Sequence, residues 1–549
     1  MKKLAQIGLF RFLHDRIVYP SYIGRNKRIF SRIKKPELKN SKIALFLTVR
    51  TLVKNPQTYL ESTVAHALEA SGLRVLMLYC DNVLDSCDAE THATLKTRKI
   101  LCGRCKSHRK ALIRSLGLEY CSYGGFLTHR RMEDIRKAVY SSRDFQGLKN
   151  MKWHGVAVAE HAMASVIRYF LTHSFDENNP EQVEIFKAKL TQACLSAELA
   201  HRIYETYGGQ IAHILTVHGV YATWGPFYDY FRARNVDSII YSLGIIHPGS
   251  IAFHRNGHEW DMFYPKSWEQ LKTRDLTPQE SGKVDDYINR RFFKNLGIDL
   301  QLYGEVAAGK KKEVLAGLDK KSYPYRFIFY THMIWDSVLE KQSAAFKGFA
   351  DMFDRTMEYF LKHTDKQLII KIHPAELVWE KGSYSMMDYI KAHFPRLTEN
   401  IVILPPSTPV TSYEIVNKQT IGLTYVGSVG YELSAIGVPV LVGGFIHYLN
   451  EGGVGVGINS LEQYYALLDD PTPAFQAARD NREMAKKWCY YFYYMLHFDF
   501  PFYAKDRYAK VDWEQIKKLP STLEDPHSSL RRMGEKIRNH EDIVNNCHE

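Results

Sequence analysis

Hydrophobic positions along the chain alternate between two spacings. Short apolar runs of strand length are separated by stretches in which apolar residues recur at helical spacing. SKIALFLTVR (41–50) is the first run, residues 59–72 form a helical stretch closed by Gly72, and LRVLMLYCD (73–81) is the second run. A strand, a helix closed by glycine and a second strand at this spacing predict a parallel sheet. Helices follow over 154–173 and 180–208, then a strand over 211–220 that ends at His218-Gly219, a helix over 222–234 and a strand over 237–244.

The second half repeats the logic. After a less regular interdomain region (245–320), containing a helix near 277–295 with a TPQE capping box, a new sheet opens at YRFIFYTHMIWDS (325–337). A helix over about 341–363 comes next, then LIIKIHPAE from Leu368 and a strand at Ile421–Tyr425. Gly427-Ser428-Val429-Gly430 makes a tight turn, 431–436 a short helix and Val438–Val442 another strand. Residues 481–510 predict a helix dense in aromatics, and 518–549 a polar, peripheral tail. The pattern divides the chain into a basic N-terminal segment (1–40), an N-terminal Rossmann-like domain (41–305), a second Rossmann-like domain (306–480) and a C-terminal part (481–549). At 549 residues two large domains are expected.

Composition changes this picture in three places. The formal charge is +13, but residues 1–42 hold twelve Lys/Arg against Asp15 and Glu37, a surplus of ten. The charge is therefore local, and a nucleic-acid footprint over the whole molecule is excluded. Within residues 1–40, Leu4, Ile7, Phe10, Leu13 and Ile17 share a helical face among basic residues. Such a segment suits an anionic membrane surface, or a helix packed on the body of the protein. No apolar run reaches the roughly 20 residues needed to span a bilayer, and the N-terminus lacks an uninterrupted apolar core and a cleavage site. A cytoplasmic protein, peripheral on an inner membrane in the first of those readings, is the expectation. Eight scattered cysteines describe no disulfide framework. Cys102 and Cys105 have CxxC spacing, open to metal or redox chemistry as well as to packed thiols.

The candidate chemistry gathers between Leu368 and Gly457. A small-residue turn between a strand and a helix lets backbone N–H groups face an anion, here without the lysine of a P-loop. IKIHPAE is similar to the K-x-HP motif of capsular polysaccharide glycosyltransferases, a group that includes Kdo transferases and polysialyltransferases. TYVGSVGYELSAIGVPVLVGG resembles their T-x-x-S-x-x-G-x-E-x-x-x-x-G-x-PV signature. PPSTPVTSYEIV and FYTHMIWDS resemble flanking segments of the same proteins, so the resemblance covers roughly 325–460. It implies a GT-B fold, two doubly wound α/β domains facing a central cleft. It also implies a nucleotide-sugar donor as substrate, a glycan or lipid-linked glycan as acceptor, no separate cofactor and no metal; Glu259-Trp260-Asp261 is the nearest approach to a D-x-D motif.

Carried over by position, His373 would donate to a donor phosphate, with Lys371 and Pro374 beside it. Thr424, Gly427, Ser428, Val429 and Gly430 would line the phosphate turn, with further donors from Ser428 and the N–H groups of Val429 and Gly430. Glu432 would accept from ribose hydroxyls, and His447 and Tyr448 would contact donor or acceptor. Tyr425-Val426-Gly427 departs from the family's small polar residues. In the N-terminal half the candidate bases are His218 and Glu160, with His154 behind them; His218 also reads as a satisfied loop histidine, and Glu160 as a polar residue on a helix face. Arg168 could bind an anionic acceptor. Two other readings stand beside sugar transfer for a surface polysaccharide: a polyol-phosphate transferase of teichoic-acid type, and a non-catalytic scaffold of a capsule assembly complex.

Overall fold

The computed structural model describes residues 19–38, 40–48, 55–84, 86–88, 105, 109–243, 249–257, 262–293, 308–335, 343–377, 385–503 and 511–545. Packing groups the chain into two units. The first holds 1–166, 176–260 and 497–546; the second holds 167–175, 261–496 and 547–549. In chain order, β1 (Ile43–Thr48), β2 (Arg74–Tyr79), β3 (Glu119–Ser122), β4 (Ile211–Thr216), β5 (Asp237–Leu243) and β6 (Ser250–Arg255) belong to the first unit. β7 (Arg326–Tyr330), β8 (Gln367–Lys371), β9 (Ile401–Leu404), β10 (Thr420–Thr424), β11 (Val440–Val442) and β12 (Val456–Gly457) belong to the second, and β13 (His497–Asp499) returns to the first.

Both sheets are predominantly parallel, as the α/β pattern predicts. The first unit has the order β13-β6-β5-β4-β1-β2-β3, parallel from β5 to β3, with β6 antiparallel to β5. The second has the order β12-β11-β10-β7-β8-β9, parallel throughout. Parallel strands are covered on both faces, which is why IALFLT and QLIIK are buried at every position, the terminal Lys371 included. In the second unit Phe327, Phe329, Leu368, Ile370, Ile421, Leu423 and Tyr425 pack with Met352, Phe353 and Phe360 of the helix Phe349–Lys362. Burying each such side chain contributes about 1.5–3 kcal/mol.

Four local expectations are corrected. The helix expected from 154 begins at Val158, because His154 and Gly155 have positive φ in a turn that pairs Trp153 with Val156. The irregular region 245–320 contains β6, an added antiparallel strand, besides its helices. Its TPQE start is a true capping box: Thr277 N–H donates to Glu280 Oε2 at 2.8 Å and Glu280 N–H to Thr277 Oγ1 at 3.3 Å. The aromatic stretch is helical only over Arg482–Tyr490, passes through a π-turn at Tyr491–Met495, and becomes β13.

The tail is not peripheral. In the helix Ser529–Arg538, Leu530, Met533 and Ile537 share one face and are buried, and Gly534 lies against the helix Pro56–Ala70. A Cβ on Gly534 would stand 2.8 Å from the Ala67 carbonyl oxygen. Four apolar residues among many charged ones make a narrow stripe, which average polarity conceals.

Candidate active site

In the second unit the chain adds β8 and β9 on one side of β7 and β10, β11 and β12 on the other. The order therefore reverses between β7 and β10. Ligands of doubly wound sheets bind at such a point, beyond the carboxyl ends of the strands. Those ends carry Thr331-His332 after β7, Ile372-His373 after β8 and Tyr425–Ser428 after β10. The HP strand and the glycine turn, 55 positions apart in sequence from His373 to Ser428, thus come to the same sheet edge.

The His373 backbone is fixed by its neighbour strand. Thr331 N–H donates to the Lys371 carbonyl at 3.1 Å, and His373 N–H donates to the Thr331 hydroxyl at 3.0 Å. Pro374–Leu377 then turns as a short 3-10 helix, with Glu376 N–H donating to the His373 carbonyl. Lys371 is only 4% exposed, and no carboxylate among the described residues pairs with it. Burial alone pushes its ammonium down to about 8. Glu376 moves the other way. Burial first, with Asp388 adding to it against the Met386 N–H bond, raises its carboxyl to about 7.

The glycine turn is braced from within. Gly427 N–H donates to Thr424 Oγ1 at 3.1 Å, and Gly430 N–H to the Gly427 carbonyl at 3.0 Å. Gly430 N–H is therefore already committed, unlike the free phosphate donor expected of it. A side chain at Gly430 would collide with the Tyr448 hydroxyl, which itself donates to the Gly427 carbonyl at 3.2 Å. Tyr448 is thus a buried brace under the turn. Ser428 is exposed and caps nothing in the helix Val429–Ala435, so its hydroxyl is available. Val429, the first residue of that helix, is half-buried.

Glu432 is fully buried, and its two carboxylate oxygens take the hydroxyls of Tyr413 and Tyr493. It ties the PPSTPVTSYE segment and the aromatic π-turn to the signature helix, which is an anchoring role in place of the expected ribose contact. His447 stacks on Phe263 at 4.5 Å between ring centroids. Phe445, two residues earlier in the loop after β11, is 54% exposed.

Two side chains were missed by sequence reasoning. His332 follows β7 at the reversal point and lies against Tyr425 and Phe349, 6.0 and 4.4 Å between centroids. Its signal was the polar TH pair closing the strand RFIFY. Glu61, in the first unit, is buried and receives Tyr241 OH at 2.9 Å and Gln57 Nε2 at 3.2 Å. Burial, opposed by its bonds to Tyr241 and Gln57, raises it to about 7. Nothing in the helical pattern TYLESTV flags such a carboxyl.

The first sheet reverses between β1 and β4, and His218 follows β4 at that point. Its ring lies 5.2 Å from Trp224 and 5.6 Å from Tyr221. Glu160 is exposed in the first turn of the helix Val158–Phe170. His154 is engaged elsewhere, with Nε2 at 2.6 Å from buried Glu198 and its ring stacked on His201. Arg168 lies over the Trp335 ring at 4.7 Å. Residues 1–18, Cys102 and the Glu259-Trp260-Asp261 string lie outside the described residues; Cys105 is half-buried. No described helix is long and apolar enough to cross a membrane.

No protein-family model and no curated protein matches the chain. Solved structures do. The KpsC beta Kdo 2,4 transferase of Thermosulfurimonas dismutans matches at 12% identity and TM-score 0.33, over 57% of this chain and 89% of that one. The sucrose-phosphate synthase of Thermosynechococcus elongatus matches at 12% identity and TM-score 0.27, over 88% and 98%. The UDP-GlcNAc 2-epimerase of Methanocaldococcus jannaschii, solved with UDP-GlcNAc and UDP, matches at 12% identity and TM-score 0.24, over 81% and 98%.

Proposed function

We propose that the chain is a glycosyltransferase of GT-B type that moves a sugar from a nucleotide donor onto a growing surface polysaccharide. The observation that carries this is the meeting of His373, uncompensated Lys371 and exposed Ser428 at one sheet edge, beside the strand-order reversal. Departure of a nucleotide leaves negative charge on its phosphate, and donors aimed there stabilise the transition state more than the ground state. His373 and Ser428 supply hydrogen bonds, and Lys371 supplies charge. His218, at the reversal point of the other sheet, is the base for the acceptor hydroxyl. The start of the basic segment 1–40, residues 1–18, holds the enzyme at an anionic membrane surface where a lipid-linked acceptor resides.

The test is an assay of donor hydrolysis and transfer with UDP-, GDP-, CMP- and CDP-linked compounds. One class of nucleotide sugar should be consumed. His373→Ala should lower kcat/KM at least about 100-fold, the loss typical of one transition-state donor, with an unchanged melting temperature. Full activity in that variant would sink the site assignment, and consumption of CDP-polyols alone would replace sugar transfer by polyol-phosphate transfer.

A further inference from the structure

The first unit carries a cavity of about 820 Å³ at the amino edge of its parallel strands, opposite the edge where His218 follows β4, within the usual range of small-molecule sites. Residues just before or at the starts of β1, β2, β4 and β5 line it. Because β6 runs antiparallel, its last residue, Arg255, reaches the same edge, and the end of the helix Ser529–Arg538 adds Arg538 and His540.

The lining carries an excess of positive charge. Among the described residues Lys42, Arg255 and Arg538 share the cavity with a single carboxylate, Asp237, while Lys42 Nζ donates to the Gly209 carbonyl at 2.7 Å and Arg538 Nη1 to the Ser71 carbonyl at 2.9 Å. His213 Nδ1 stands 2.7 Å from Asp237 Oδ2, and His540 Nδ1 3.5 Å from the same oxygen. Arg255 Nε forms an ion pair with Asp237 Oδ1 at 3.4 Å without hydrogen-bond alignment, and Arg255 Nε and Nη2 and Asp237 Oδ1 are all buried with no hydrogen-bond partner among the described residues. Buried donors left unmade are costly, and each calls for an acceptor.

His213, Asp237 and His540 also have the makings of a metal site, their ligand atoms all within 4.8 Å of one another. Charge decides against a cation. A dication there would share its carboxylate with a guanidinium and face two further cations, each repelling it by some kcal/mol at short range. An anion relieves both the charge excess and the missing acceptors.

We propose that this edge of the first sheet binds a phosphorylated small molecule, whose phosphate oxygens accept from Arg255 with Arg538 and Lys42 adding charge. The site is independent of the proposed donor site, since it lies in the other unit and uses none of the same residues. Calorimetric titration of the full chain with inorganic pyrophosphate tests it, in a His373→Ala background that weakens donor-site binding. Binding should persist in that background, weaken at least tenfold with Arg255→Gln, and weaken about threefold with Lys42→Ala, an exposed rim substitution that leaves folding intact. No binding in the His373→Ala background, or unchanged binding in both further variants, would overturn the proposal. So would a Zn²⁺-dependent rise in melting temperature that His540→Ala abolishes.

Discussion

Lys371 makes the most specific prediction at the scale of single residues. Its folded-state pKa, about 8, lies below the ordinary lysine value of 10.5. Its charge therefore costs stability at neutral pH, and that cost disappears as pH rises from 8 towards 10.5. A bound phosphate favours the ammonium and raises its pKa. Nucleotide binding should take up a proton between about pH 8 and 10, and affinity should fall as pH rises through that window. Calorimetry in buffers of different ionisation enthalpy reads the proton directly; Lys371→Met should remove both the uptake and the pH dependence.

Glu432 offers a contrasting case at the same scale. Its carboxylate holds Tyr413 and Tyr493 in the interior. Glu432→Ala leaves two buried phenols without their acceptor and should cost on the order of 2–5 kcal/mol, read as a lower midpoint in urea. Glu432→Gln should recover part of it. A variant of wild-type stability that has lost only nucleotide binding would restore the ribose role.

Among elements, the C-terminal helix is the one whose importance the sequence hid. Gly534 packs against the Ala67 carbonyl, so Gly534→Val must push two helices apart. A loss of about 1–3 kcal/mol is expected, seen as a melting temperature lowered by a few degrees. A melting temperature equal to wild type would return 518–549 to the role of a peripheral tail.

The elements that were legible share one property. SKIALFLTVR, LIIKIHPAE and the strand at Ile421 are unbroken apolar runs bounded by turn residues, and each is a central parallel strand. Thr277 and Glu280 likewise announce their capping box locally. What was not legible depends on partners distant in sequence. Glu432 is fixed by tyrosines 19 and 61 positions away, and Tyr448 reads as a ligand contact until its hydroxyl is seen bonded to Gly427. β13 is three residues long and lies at the sheet edge, and β6, beside it, is a six-residue run that ends in His254-Arg255, so neither stands out as a long apolar strand.

For the molecule as a whole, the basic N-terminus divides in two. Within the described part, Asn26 is buried and donates to Ser115 Oγ at 3.2 Å, and Phe30 stacks on His66 at 5.4 Å. Tyr19–Phe30 is therefore part of the first unit's core. Deleting residues 1–18 should leave the melting temperature within a degree or two and reduce flotation with anionic vesicles; deletion through residue 33 should unfold the first unit. Unchanged flotation after the shorter deletion would remove the membrane role.

The central claim is that the carboxyl edge of the second sheet binds a nucleotide-linked donor through His373 and Ser428. Its most direct test is calorimetric titration of wild type, His373→Ala and Ser428→Ala with UDP-, GDP-, CMP- and CDP-compounds. One nucleotide class should bind wild type, and its affinity should fall at least tenfold in His373→Ala and several-fold in Ser428→Ala, with all three proteins melting alike. Equal affinity in all three, or no binding of any nucleotide to wild type, would contradict it.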